Sequence, residues 1–215
     1  MPVTNRSVPP LRGLYVVTDA ALTPGPRLVE AVEQALAGGA RWVQYRDKAA
    51  HDNARRLDET RALRAVCLAH GAGFIVNDDT ELALACGADG VHVGADDAPL
   101  AQARERLGPH AIIGVSCYNR LELARAAVAD GADYVAFGSF YPSTTKPEAV
   151  AADPDLLRAA RTLERPLCAI GGITADNAPP LVAAGADLIA VVSAVFAAAD
   201  VCAASQRLAG LFAEG

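Results

Sequence analysis

Gln44, Arg46 and Lys48 alternate along one extended stretch, so their side chains point to one side of it and turn an amide and two cations toward a common ligand. A diphosphate suits that set; a solvated strand end with a loose ion pair is the plainer reading. The segment from Gly138 to Pro147 gathers Ser139, Ser143, Thr144, Thr145 and Lys146. Glycine admits a ligand close to the backbone, hydroxyls donate to anionic oxygens and the lysine supplies a point charge, although ordinary surface turns share this composition. Gly171-Gly172 exposes backbone N–H groups and Ser193, after Val192, is expected to cap a helix, so the two places together suit a monophosphate; Gly-Gly is also simply a tight turn. Asp78 and Asp97 either converge on a magnesium ion that keeps several waters or cap the helical segments they precede. His92 reads as a hydrogen-bonded structural residue and is left out of the chemistry.

These residues need a scaffold that brings distant segments to one face. Gly39-Ala40-Arg41, Gly87-Ala88-Asp89, Gly131-Ala132-Asp133 and Gly185-Ala186-Asp187 each end an alanine-rich helical stretch and open a β-branched run. Each glycine therefore fits the left-handed residue that ends a helix, with a buried strand beyond it. The joints lie too far apart for one βα unit each, and Leu14–Thr18, Gly73–Val76, Ile112–Ser116 and Leu167–Ile170 supply one more strand per interval.

Helical periodicity covers Leu28–Ala37, Asn53–Ala69, Thr80–Ala85, Pro99–Leu107, Arg120–Ala129, Pro154–Leu163, Asn177–Ala184 and Ser193–Phe212. The pattern predicts an α/β protein, a single-domain (β/α)8 TIM barrel over residues 14–215 behind a loose leader, 1–13; an open doubly wound sheet is the alternative. In such a barrel the strand ends form one face, and the polar residues above cluster at those ends.

Composition narrows the partners. At 215 residues and 52% hydrophobic, the chain can bury one core, and its net charge of -6, with both signs mixed, offers no basic stripe to nucleic acid or to an anionic membrane. Its five cysteines are odd in number and lack Cys-x-x-Cys spacing, which suits a reducing, cytoplasmic setting. No secretory h-region precedes Gly13, and the longest apolar run, Leu188–Ala199, is too short to span a bilayer. The Ala- and Leu-rich face of Ser193–Phe212 reads equally as a homodimer surface or as packing against the barrel. No nucleophilic triad, dinucleotide fingerprint or zinc spacing is present.

Eight ordered stretches resemble the signatures of the thiamine-phosphate synthase family: Leu14–Asp19, Val43–Lys48, Phe74–Asp78, Gly90–Gly94, Gly114–Ser116, Tyr141–Lys146, Ala169–Ile173 and Val191–Ser193. The resemblance implies a transferase joining hydroxymethylpyrimidine diphosphate to thiazole phosphate through a pyrimidine carbenium ion. It implies that Gln44, Tyr45, Arg46, Asp47, Lys48, Asn77, Ser116 and Lys146 hold the pyrimidine diphosphate, with Lys146, Ser116 and Arg46 catalytic. Ser143, Thr144, Thr145, Gly172, Val192 and Ser193 would hold the thiazole phosphate, and Asp78 and Asp97 would bind Mg2+.

Three positions depart from the family pattern: Ser143 for a threonine, Ala95 for a glutamine, and Asp79, which adds a negative charge beside the expected metal. A thiazole tautomerase on the same barrel and a non-catalytic phosphate-binding barrel are the competing readings. The tautomerase leaves Gln44, Arg46, Lys48 and the two aspartates without a task. Binding order and the preferred thiazole are not written in the residues.

Overall fold

A computed structural model describes residues 8–49, 52–94, 100–142 and 151–212. The chain alternates β1 (Gly13–Val17), α1 (Arg27–Ala37), β2 (Trp42–Tyr45), α2 (Asn53–Ala69), β3 (Gly73–Asn77), α3 (Thr80–Cys86), β4 (Gly90–Val93), α4 (Leu100–Leu107), β5 (Ile112–Ser116) and α5 (Leu121–Ala129). It continues through β6 (Tyr134–Phe137), α6 (Pro154–Ala160), β7 (Leu167–Ile170), α7 (Pro179–Ala183), β8 (Leu188–Val191), α8 (Ser193–Phe196) and α9 (Val201–Ala209). The strands are parallel and close in sequence order, β1 pairing with β8, so the architecture is the expected (β/α)8 barrel and not the open sheet.

Each strand sorts its side chains by the period of two. Leu14, Val16, Val43 and Phe74 face the helices, while Tyr15, Val17, Trp42, Ile75, Tyr134, Cys168 and Leu188 fill the barrel. The bulkiest inner rings fit because glycines face them. A Cβ on Gly73 would stand 2.2 Å from the Trp42 ring, and one on Gly114 would stand 2.0 Å from the Tyr134 ring.

The helix-to-strand joints carry their expected geometry, with positive φ at Gly39, Gly87, Gly131 and Gly185. Three of them share a further device. Asp89, Asp133 and Asp187 each accept a backbone N–H from a neighbouring strand, of Phe74, Ile113 and Leu167 respectively, at 2.8, 2.8 and 2.9 Å. Arg64, Arg104 and Arg161 pair with the same carboxylates, tying the outer helices to the N-terminal rim of the barrel.

Several boundaries differ from the sequence reading. The expected helix Ser193–Phe212 is two: α8 stops after one turn, and the Asp200 carboxylate caps α9 by accepting the Ala203 N–H at 2.8 Å. The segment Asn177–Ala184 shortens to α7, because the Asn177 side chain accepts the Thr174 N–H in a turn before the proline pair that starts the helix. The expected loose leader, as far as it is described, is anchored: Val8 and Leu11 pack on the inner cluster, and Trp42 Nε1 donates to the Pro10 carbonyl at 2.9 Å. Among the described residues no helix is long and apolar enough to cross a membrane.

Candidate functional site

A cavity of about 820 Å³ opens where the strands end, and the residues lining it come from all eight strands or the loops after them. Register brings the contributors together. Gln44 on β2 and Arg46 just after it lie two residues apart on the inner side, and both line the cavity. Gln44 is buried and donates from Nε2 to the Tyr15 hydroxyl at 2.7 Å. The backbone of Arg46 is tied to β1 by its N–H, donated to Thr18 Oγ1 at 2.9 Å, and its guanidinium lies 3.7 Å from Asp19. Lys48 continues the series and meets Asp78 Oδ2 at 2.6 Å.

The same parity sends the side chains of the two intervening residues, Tyr45 and Asp47, to partners away from the cavity. Tyr45 points outward between β2 and the helices, where its hydroxyl donates to Glu59 at 2.7 Å and burial raises its pKa above the usual phenol range. Asp47 accepts the Ala49 N–H at 2.9 Å and faces Tyr45 and Arg55, not the cavity. An anion at that position would oppose a diphosphate in any case.

At the end of β3, Asn77 lines the cavity and donates from Nδ2 to Asp78 Oδ2 at 2.5 Å. Asp78 holds a left-handed backbone, φ 63°, which turns its carboxylate back toward Lys48. Asp78 is not the helix cap. Asp79 is, accepting the Leu82 N–H at 2.9 Å and pairing with Arg56 at 2.9 Å, so the unexpected negative charge is neutralised within the scaffold. Among the described residues no group of three His, Cys, Asp or Glu could hold a metal. A magnesium ion that keeps several waters needs only one or two carboxylates, and Asp78, whose carboxylate contacts the cavity-lining Asn77, fits that demand. Its expected partner Asp97 lies outside the described residues, as do Ser143, Thr144, Thr145 and Lys146.

Across the cavity, Gly172 has φ 61°, and a Cβ there would stand 2.3 Å from the Pro142 carbonyl oxygen. The loop after β6 runs beside this glycine pair: Phe140 N–H donates to Ile170 O and Tyr141 N–H to Gly171 O. Asn177 fastens the arrangement, donating to the Gly172 carbonyl at 3.0 Å while its own carbonyl accepts the Tyr141 hydroxyl at 2.8 Å. Val192 and Ser193 line the cavity beside it. Ser193 is the first residue of α8 and not its cap; Val192 holds the cap position and makes no side-chain cap bond.

Sequence reasoning set His92 aside and passed over Tyr15 and Tyr134. All three are buried, Tyr15 and His92 lining the cavity, with His92 bonding the Tyr134 hydroxyl through Nδ1 at 2.8 Å and Ser116 Oγ through Nε2 at 2.9 Å. Tyr118 and Asn119, on the loop after β5, also line the opening. The available signal was parity: Tyr15, His92, Ser116 and Tyr134 all fall on inward positions once the strands are placed.

The chain is similar to known proteins over nearly its whole length. The pattern of a family described as thiamine monophosphate synthase matches residues 14–195. A thiamine-phosphate synthase of Thioalkalivibrio sulfidiphilus is 58% identical over 203 residues, 94% of this chain and 96% of that one. One of Chromobacterium violaceum is 55% identical over 204 residues, 95% and 98% of the two chains. The solved thiamine phosphate pyrophosphorylase of Pyrococcus furiosus superposes with a TM-score of 0.85 at 38% identity, covering 95% of this chain and 96% of its own.

Proposed function

The chain belongs to the thiamine monophosphate synthase family, its activity is that of a thiamine-phosphate synthase, a transferase, and on that premise we propose how its residues share the work. The substrates are hydroxymethylpyrimidine diphosphate and thiazole phosphate. The C–O bond to the diphosphate breaks with its electron pair leaving on pyrophosphate, and the lone pair of the thiazole nitrogen then forms the C–N bond to the pyrimidine carbenium ion. No strong base is needed; the demand is for positive charge beside the departing pyrophosphate and for a dry cavity that keeps water from the cation.

A single observation carries this reading: one cavity joins Gln44, Arg46 and Asn77 on one side to Gly172, Val192 and Ser193 on the other. Arg46, Lys48 and Lys146 take the diphosphate, each donor contributing roughly 3 kcal/mol where negative charge grows. Ser116 contacts the pyrimidine. Ser143, Thr144 and Thr145 join the Gly172 and Ser193 backbone around the thiazole phosphate, and Asn177 holds that wall in place. Asp78 and Asp97 would hold a magnesium ion, which supplies charge neutralisation for the diphosphate when bound. A reducing cytoplasm suits the five free thiols. Residues 14–215 act as one catalytic domain, and a homodimer through the α9 side is compatible with this cavity.

One assay tests the proposal. With both phosphorylated halves and magnesium, pyrophosphate and thiamine phosphate should form in equal amounts, and EDTA should stop both. Product that ignores the chelator would remove the metal from the scheme, and absence of product with either thiazole form would remove the coupling itself. Lys146→Ala should lower turnover at least a hundredfold with unchanged circular dichroism.

A further inference from the structure

Inside the barrel the buried polar side chains form one unbroken line. Gln44 Nε2 donates to the Tyr15 hydroxyl at 2.7 Å, the Tyr15 and Tyr134 hydroxyls lie 3.0 Å apart, and the line continues through both nitrogens of His92 to Ser116 Oγ. Its ends, Gln44 and Ser116, belong to the proposed substrate-binding set, but the handling of the two phosphates gives Tyr15, Tyr134 and His92 between them no task. The register builds it on purpose-shaped ground: His92, Gly114 and Tyr134 are paired neighbours on β4, β5 and β6, and because Gly114 has no side chain the histidine and tyrosine rings meet above it, centroids 5.5 Å apart.

Counting hydrogens gives the line a direction. Burial raises the pKa of both Tyr15 and Tyr134, so each phenol keeps its one hydrogen. Tyr15, already accepting from Gln44, has the Tyr134 oxygen as acceptor for its own hydrogen; Tyr134 then has His92 Nδ1 for its own. Nδ1 is thereby an acceptor, the imidazole proton sits on Nε2, and Ser116 Oγ receives it. Running the line backwards needs the Gln44 carbonyl at Tyr15 and its NH2 group toward the cavity, on the side where Arg46 follows two residues along the same face. A cation there favours the carbonyl and disfavours the NH2 group.

We propose that His92 is a positioning residue, held by Tyr134 as the Nε2–H tautomer, and that it leaves Ser116 with one hydroxyl hydrogen and one lone pair for the ligand. This rests on the synthase reading above for the identity of that ligand. One donor beside one acceptor is the complement of the adjacent ring nitrogen and amino group of an aminopyrimidine. In the reverse direction Ser116 would give its hydrogen to His92 and offer lone pairs only, with nothing for the ring nitrogen. As positive charge develops on the ring its nitrogens lose basicity, so this donor recognises the bound ground state. The relay therefore governs KM for the diphosphate substrate more than kcat.

The test has two arms. In the first, the intact protein labelled with 15N-histidine is read by NMR at mildly alkaline pH, the His92 signal being identified by its loss in His92→Gln. An unprotonated Nδ1 with a protonated Nε2 is expected, and Tyr134→Phe should move the ring toward a mixture of tautomers. A protonated Nδ1, in the other tautomer or in the imidazolium ion, would overturn the proposal. In the second arm, Tyr134→Phe should raise KM for the pyrimidine diphosphate about five- to tenfold, the worth of one hydrogen bond, with kcat changed less and KM for thiazole phosphate unmoved. His92→Gln, whose amide N–H can stand in for Nε2–H, should recover much of what His92→Ala loses. A fall in kcat at constant KM, or a glutamine no better than alanine, would also overturn it. Should the unaltered protein make no thiamine phosphate, the synthase reading fails while the NMR arm still decides the relay.

Discussion

Lys48 Nζ lies 2.6 Å from Asp78 Oδ2, so the cation proposed to hold the diphosphate pairs with the carboxylate proposed to hold the metal. Asn77 donates to the same carboxylate oxygen, so Lys48 and any metal ion compete for Asp78. Removing the cation should therefore act in opposite directions on the two ligands. Lys48→Met should tighten magnesium binding to the ligand-free protein severalfold, by isothermal titration, while raising KM for the diphosphate substrate by a similar or larger factor. Weaker magnesium binding in that variant would mean that Lys48 does not compete for Asp78. The lysine is more than half exposed, so its pairing is worth no more than about 1 kcal/mol and is easily exchanged.

Asp79 is held apart from this exchange. Its carboxylate caps α3 and pairs with Arg56 from α2, so its task is to fix the helix that follows Asp78. Asp79→Asn keeps the cap acceptor and should leave magnesium dependence and KM within about threefold of the parent, whereas Asp79→Ala should cost about 1 kcal/mol in denaturant unfolding. A large shift of the magnesium requirement in the asparagine variant would place Asp79 among the ligands instead.

The strand and helix order was legible because each Gly-Ala-x joint couples a left-handed helix end to a β-branched run, two signals that agree. Local signals of that kind do not report what strand stagger brings together. Tyr15, His92 and Tyr134 sit on β1, β4 and β6, and their contact depends on Gly114 leaving room between two of them, which appears only when the barrel closes. Tyr45 and Asp47 illustrate the opposite case: the family motif spans them, while the alternation that groups Gln44, Arg46 and Lys48 turns their side chains to Glu59 and to the Ala49 N–H. The break between α8 and α9 was likewise written in Asp200, a cap residue within an alanine-rich run whose helical character hid it.

Buried phenols and thiols set an alkaline limit on stability. Burial raises the pKa of Tyr15 and Tyr134 above the ordinary 10.0, and that of Cys168 above 9.0, while the Cys117 thiol is pushed up to about 12. Each group is neutral when folded and ionises more readily when unfolded, so its contribution is complete below the unfolded pKa and is lost as pH rises toward the folded value. Unfolding free energy should hold steady to about pH 9 and fall steeply above about pH 10. Cys168→Ala with Tyr15→Phe should flatten that fall even if both variants are less stable at neutral pH. An unchanged slope in the double variant would assign the alkaline limit to other groups.

Asp133 separates stability from function at the far end of the barrel. It accepts the Ile113 N–H at 2.8 Å and pairs with Arg104 at 2.6 Å, on the rim opposite the cavity, so nothing it touches lies near substrate. Asp133→Ala leaves a backbone donor and a guanidinium without that carboxylate, a loss of about 1–3 kcal/mol. Asp133→Asn keeps an acceptor for Ile113 and removes only the charge, which at a partly exposed pair should cost under about 1 kcal/mol. In urea unfolding the alanine variant should be clearly the weaker of the two, and both should keep KM for each substrate unchanged. Equal losses from the two variants would show that the ion pair with Arg104, and not the bond to the β5 backbone, carries the contribution. The same comparison at Asp89 and Asp187 should give the same order, because each holds a strand N–H and one arginine in the same way.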